Sequence, residues 1–133
     1  MNCIFCKIIQ GEIPAAPIFE DDQVIAFLDI APFEKGHLLV LPKPHAELLT
    51  ELPESLLTHI MTIVQKLASH LLKTLPCDGF NVVQNNGACA SQTVPHVHIH
   101  IIPRFNGKPL HWVPGSYASQ EELKDLQARL MFN

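Results

Sequence analysis

Between Val94 and Arg104 the chain alternates strictly: His96, His98 and His100 take every second position, and Val97, Ile99 and Ile101 fill the gaps. A two-residue period with β-branched apolar partners predicts a β-strand with one apolar face and one imidazole face. Side chains two apart on a strand share a face, so the rings are expected in one row, roughly 6–7 Å between neighbours. The fold must therefore bury one side of this strand and leave the other open to a site. Strand packing has no need of such a row. Imidazole titrates near neutrality, so it serves as nucleophile, acid, base or metal ligand at cellular pH.

The remaining elements follow from punctuation and period. Residues 3–10 predict a short helical turn, closed by Gly11 and followed by Pro14 and Pro17. Residues 18–20 and 24–29 read as strands joined through Asp21-Asp22-Gln23, residues 37–41 as a third strand and 79–84 as a fourth. Leu56, Ile60, Ile63, Val64, Leu67, Leu71 and Leu75 recur at three- and four-residue steps, so the best helix lies between Pro53 and Pro76. Its His59 and His70 read as surface or helix-end residues. A short amphipathic helix is expected over residues 120–131. The expected fold is α+β: a five-stranded, mostly antiparallel sheet with one long helix and one or two short ones, in a single domain spanning residues 1–133.

Composition narrows the function classes. With 47% hydrophobic and 17% charged residues, the chain can build a core. A net charge of −4 without a basic run argues against nucleic-acid binding. No apolar run approaches the roughly 20 residues of a membrane span. The start, Met1-Asn2-Cys3-Ile4-Phe5-Cys6-Lys7, lacks the pattern of a secretion signal. The cysteines, Cys3, Cys6, Cys77 and Cys89, are therefore expected as reduced thiols in the cytoplasm.

Three constellations carry chemistry. A neutral imidazole nitrogen can attack phosphorus, and protonated imidazole then leaves readily. The other ring nitrogen must carry the proton and be held by an acceptor such as a backbone carbonyl. In a row of three the middle ring has support on both sides, which makes His98 the expected nucleophile. Gly87 to Ser91, just before it, are small enough for backbone amides to approach an anion, and Gln92 and Thr93 add side-chain donors. Cys3 and Cys6 have the spacing of a zinc-binding pair, with His45 and His96 available as further ligands; a redox pair fits the same spacing. Asp29, at a strand end near Ile18, Phe19 and Phe27, can accept from ribose hydroxyls beside an apolar base pocket, or simply cap a turn. His37, after Gly36, can complete the catalytic group.

Residues 92–102, Gln-Thr-Val-Pro-His-Val-His-Ile-His-Ile-Ile, resemble the signature of the histidine triad (HIT) family. Cys3-Ile4-Phe5-Cys6-Lys7-Ile8-Ile9, Ala26-Phe27-Leu28-Asp29-Ile30, Gly36-His37-Leu38-Leu39-Val40, Pro42-Lys43-Pro44-His45 and His111-Trp112-Val113-Pro114-Gly115 resemble its Hint-like branch. The resemblance implies a nucleotidyl hydrolase or transferase acting at the α-phosphate of purine nucleotide derivatives, such as nucleoside phosphoramidates. Dinucleoside polyphosphate hydrolysis, or nucleotide binding with vestigial catalysis, are the alternatives. By position it implies His98 as nucleophile, His100 and His37 as supports and Thr93 as the hydroxyl assisting the leaving group. Asn85 and Gln92 then contact phosphate or substrate, and Asp29 the ribose. It also implies a structural zinc on Cys3, Cys6, His45 and His96, and a homodimer whose sheet continues across the interface. Two departures stand out: Ser91 occupies a position where the family usually has glycine, and residues 116–133 extend beyond the shared region.

Overall fold

The computed structural model describes residues 2–133; Met1, included in the expected domain, lies outside the described residues. Its central strands, β2 (Val24–Leu28) and β3 (Leu38–Pro42), are buried at every position. Full burial requires cover on both faces, and the residues divide by parity. Val24, Ala26, Leu28, Leu38 and Val40 enter one core, while Ile25, Phe27, Leu39 and Leu41 enter a smaller one with Cys3 and Phe5. β1 (Pro17–Glu20) pairs with β2, β5 (Ile99–Arg104) with β3, and β4 (Gly79–Gln84) with β5, all antiparallel. The order is β1-β2-β3-β5-β4.

The larger core lies under α2 (Glu54–Thr74), which packs Leu56, Ile60, Ile63, Val64, Leu67 and Leu71 on the sheet. α1 (Ile4–Ile9) is a short turn capped by Cys3, whose Sγ accepts from the Cys6 amide at 3.4 Å. α3 (Gln120–Leu130) is capped by Ser119 and packs against α2 and β1. The two helix histidines bind elements together rather than lying idle at the surface. His59 Nε2 meets the Asp21 carboxylate at 2.6 Å, and His70 Nε2 meets the Leu130 carbonyl at 3.0 Å. Among the described residues no helix is long and apolar enough to cross a membrane.

The histidine stretch departs from the expected continuous strand. Ladder pairing begins only at Ile99, so of the three histidines only His100 lies in β5. Residues 94–96 form a bend, in which the His96 amide donates to the Val94 carbonyl at 2.8 Å, and the Val97 amide then donates to the Ala46 carbonyl at 2.8 Å rather than to a neighbouring strand. At this bend the ring of His96 turns toward Cys3 and Cys6 at α1.

Candidate active site

Parity places the chemistry. Ile99 and Ile101 face α2, so His98, His100 and Ile102 face the other side of the sheet. His100 lies between Leu39 on β3 and Val83 on β4. The His98 and His100 rings stand 5.0 Å apart, nearer than a regular strand gives, and His96 leaves the row altogether.

Each ring's hydrogen bonds fix where its proton resides. His98 donates Nδ1–H to the His96 carbonyl at 2.7 Å, so its Nε2 carries the lone pair. The Phe33 amide donates to His37 Nδ1 at 3.1 Å, which places the His37 proton on Nε2. That Nε2–H donates to His100 Nδ1 at 2.9 Å, leaving His100 with an Nε2–H of its own. The Asp29 carboxylate lies 3.8 Å from His37 Nε2. Burial pushes His37 and His100 down to about 4, with the neighbouring His98 acting in the same direction. Burial also lowers His98, against the opposing pull of its bond to the His96 carbonyl and of Asp29. All three rings are therefore neutral near pH 7. A neutral His98 is what nucleophilic attack needs.

The His98 and His100 rings open into a cavity of about 660 Å³ that Asp29, Asn85, Ser91 and Thr93 share with Ile4, Phe5, Leu39, Val83, Trp112 and Pro114, while His37 is fully buried and does not line it. Asp29 stands at its rim with Oδ1 accepting from the Ala31 amide at 2.9 Å. The other expected binding residues lie elsewhere. Ile18 and Phe19 belong to the core under α2, and Phe19 packs on Phe132. Phe27 is on the correct face but lies beneath Phe5, its ring 5.8 Å away and edge-on. Gln92 turns inward, accepting from the Gly87 amide at 2.6 Å and donating to the Glu47 carbonyl at 2.8 Å. It shapes the loop instead of lining the cavity.

Phe5 and Ile4 are the wall residues the sequence did not single out for this role. Phe5, 6% exposed, meets the His98 ring edge-on at 5.0 Å and the His96 ring at 6.1 Å. The available signal was its position between two cysteines already expected to lie near His96.

The second cluster adjoins the first. The Cys3 and Cys6 sulfurs and the His45 and His96 ring nitrogens all lie within 4.8 Å of one another. His96 Nδ1 is 3.5 Å from Cys3 Sγ, 3.6 Å from Cys6 Sγ and 3.2 Å from His45 Nδ1. His96 donates Nε2–H to the Pro42 carbonyl at 2.7 Å, so its Nδ1 presents a lone pair to the cluster. Tetrahedral zinc with bonds of about 2.0–2.3 Å separates its ligand atoms by roughly 3.3–3.8 Å. The edges from His96 to Cys3, Cys6 and His45 and from His45 to Cys6, at 3.2–3.6 Å, lie close to this range, and with this donor chemistry the cluster fits zinc. Four protein ligands leave no position open for substrate, which makes the site structural. Burial, reinforced by Cys3, pushes the Cys6 thiol up; a cation between the ligands reverses that preference.

Residues 10–107 match the HIT domain family. An uncharacterized HIT-like protein of Methanocaldococcus jannaschii is 54% identical over 105 residues, 79% of this chain and 81% of that one. The adenosine 5'-monophosphoramidase of Schizosaccharomyces pombe is 45% identical over 129 residues, 95% and 93% of the two chains. Among solved structures, a Zn-bound histidine triad family protein from Mycobacterium smegmatis superposes with a TM-score of 0.86 at 38% identity, over 98% of this chain and 94% of that one.

Proposed function

The chain belongs to the HIT domain family, and from that premise we propose that it cleaves purine nucleoside phosphoramidates, or related nucleoside 5'-phosphate derivatives, at the α-phosphate through a nucleotidyl-histidine. The observation that carries this reading is the bond from His98 Nδ1–H to the His96 carbonyl. It leaves Nε2 as a free nucleophile at the wall of the cavity.

In the first step the Nε2 lone pair attacks the α-phosphorus in line with the leaving group, forming an N–P bond as the P–X bond breaks. The Thr93 hydroxyl, at the cavity wall, assists the departing X. In this reading His100 Nε2–H donates to the phosphoryl oxygens and stabilises the charge that builds on them. Water then attacks phosphorus, the N–P pair returns to His98, and the nucleoside monophosphate leaves. Asp29, Asn85, Ile4 and Phe5, all lining the cavity, take the rest of the substrate in the same reading: Asp29 accepts from the ribose hydroxyls, Asn85 contacts the phosphate, and Ile4 and Phe5 flank the base. Zinc, when bound by Cys3, Cys6, His45 and His96, supplies rigidity by holding α1 against the residue that orients His98.

A homodimer belongs to the same reading. β4 is an edge strand, and Phe80 and Val82 on it are exposed beside Met61 and Leu72 of α2. A second copy covers that apolar face and continues the sheet.

The direct test is to trap the intermediate. Mass spectrometry of protein quenched during turnover of adenosine 5'-phosphoramidate should find an added nucleotidyl group on the peptide holding His98, and none in His98→Asn. Thermal shift with AMP should persist in His98→Asn. Undiminished turnover by pure His98→Asn overturns the mechanism. Faster turnover of a diadenosine polyphosphate than of the phosphoramidate reassigns the substrate.

A further inference from the structure

The loop from β2 to β3 and the irregular run after β5 are held to one another by a concentrated set of bonds. The Gly115 amide donates to the Pro32 carbonyl at 2.8 Å, and the Gly36 amide donates to Tyr117 Oη at 3.1 Å. Lys108 Nζ lies 2.9 Å from the Glu34 carboxylate, and Lys35 Nζ lies 3.0 Å from that of Glu122. The Lys35–Glu122 pair is solvated and holds weakly, and the Lys108–Glu34 pair is open to solvent on its lysine side, so the bonds at Pro32 and Gly36, both buried residues, carry most of the attachment. Trp112 adds an edge-on contact to Phe33 at 5.6 Å, and Phe33 stacks on His37 at 5.3 Å.

All of these contacts fall on residues 32–36, immediately before His37. That loop meets His37 twice: the Glu34 carbonyl accepts the His37 amide at 3.0 Å, and the Phe33 amide, on the ring, sets the proton position of His37. If the amide withdraws, His37 can take its proton on Nδ1, and its Nε2 lone pair then faces His100. His100 must answer with Nδ1–H, which leaves a lone pair on its Nε2. A donor toward the phosphoryl oxygens becomes a repelling acceptor. One misplaced amide reverses two rings.

We propose that residues 106–122 form a positioning clasp, with Tyr117 at its centre, that holds the Phe33 amide on His37 and thereby keeps His100 Nε2 protonated toward the substrate. The clasp rests on the roles given above to His98 and His100. Tyr117 touches no reacting atom and acts only through Gly36 and the loop. The part of the chain beyond Gly115 thus takes a share in the reaction.

The test compares wild type with Tyr117→Phe, full length, by imidazole nitrogen NMR without substrate and by kinetics on adenosine 5'-phosphoramidate. Wild type should show His37 protonated on Nε2 and His100 on Nε2. Tyr117→Phe should show a second tautomer at both rings, with kcat lowered about tenfold or more and KM changed less than about twofold. A wild-type His37 protonated on Nδ1 overturns the proposal, whatever the variant does. So does a Tyr117→Phe protein with wild-type ring spectra and kcat. A tautomer shift in Tyr117→Phe, alongside wild type that does not turn over phosphoramidate, supports the clasp and defeats only the substrate reading.

Discussion

The carbonyl of His96 accepts the Nδ1–H of His98 at 2.7 Å, while the ring of His96 belongs to the cluster with Cys3, Cys6 and His45. One residue therefore couples a metal centre to the orientation of the proposed nucleophile. Metal occupancy should therefore bear on how His98 is aimed, although His98 is not among the four residues of the cluster.

Removing the metal should loosen the site and lower stability together. A ligand present at about a thousand times its Kd adds about 4 kcal/mol of stability. For a domain of this size, its loss lowers Tm by roughly 10 °C or more. Chelated protein, or Cys6→Ser, should show this drop in a melting scan, with kcat reduced and restored when zinc is returned to the chelated wild type. Equal Tm and kcat in protein shown to be metal-free would remove the coupling.

How much of this was legible in the sequence depended on locality. The long helix and the strand parity are repeating local patterns, and both could be read. The assignment of sheet faces could not, because β2 and β3 are apolar at every position. That is why Ile18, Phe19 and Phe27 looked equivalent beside Asp29, although Ile18 and Phe19 belong to the core under α2 and Phe27 lies beneath Phe5. The place of Phe5 was legible only indirectly: its contact with His98 spans 93 positions, and the one signal was its position between Cys3 and Cys6, which were expected near His96. The bonds of residues 106–122 to the loop before His37 were hidden, because they join that loop to an irregular run and the first turn of α3.

The neutral histidines make stability depend on acid in a defined direction. His37 and His100 titrate near 4 in the folded chain but near 6.5 when unfolded. Between those values the unfolded state binds more protons, so stability rises with pH. Stability should be complete above about pH 6.5 and fall as pH drops toward 4, by on the order of 2–3 kcal/mol per ring. Urea midpoints at pH 7.5, 6 and 4.5 measure it, with His100→Gln flattening the decline. A midpoint that rises on acidification contradicts the neutral assignment.

Ser91 gives a sharper local test. It sits at φ 72, ψ 21, the left-handed region that glycine enters freely and other residues at a cost of about 1–2 kcal/mol. The loop has thus kept a backbone suited to glycine while carrying a serine. Ser91→Gly removes that strain but gives the unfolded chain more freedom, about 0.5–1 kcal/mol in the opposite sense. The expected result is a Tm unchanged or slightly raised, with KM preserved. Ser91→Val should lower Tm, since a β-branched residue tolerates positive φ poorly. A Ser91→Val protein as stable as wild type would mean that the loop does not hold this conformation.

The apolar face on β4 and α2 predicts what a single charge does to assembly. Val82 and Phe80 are 44% and 38% exposed, and Met61 and Leu72 each 43%. Exposed edges are prone to pair, and charged side chains, lysine above all, blunt them. Val82→Lys places a cation at the middle of the face without altering the core under α2. Light scattering after size exclusion should give twice the chain mass for wild type and an equilibrium shifted toward one chain in Val82→Lys. The melting temperature should then depend on protein concentration in wild type more than in the variant. A wild-type protein that runs as one chain at every concentration would separate this face from assembly and leave it to a different partner.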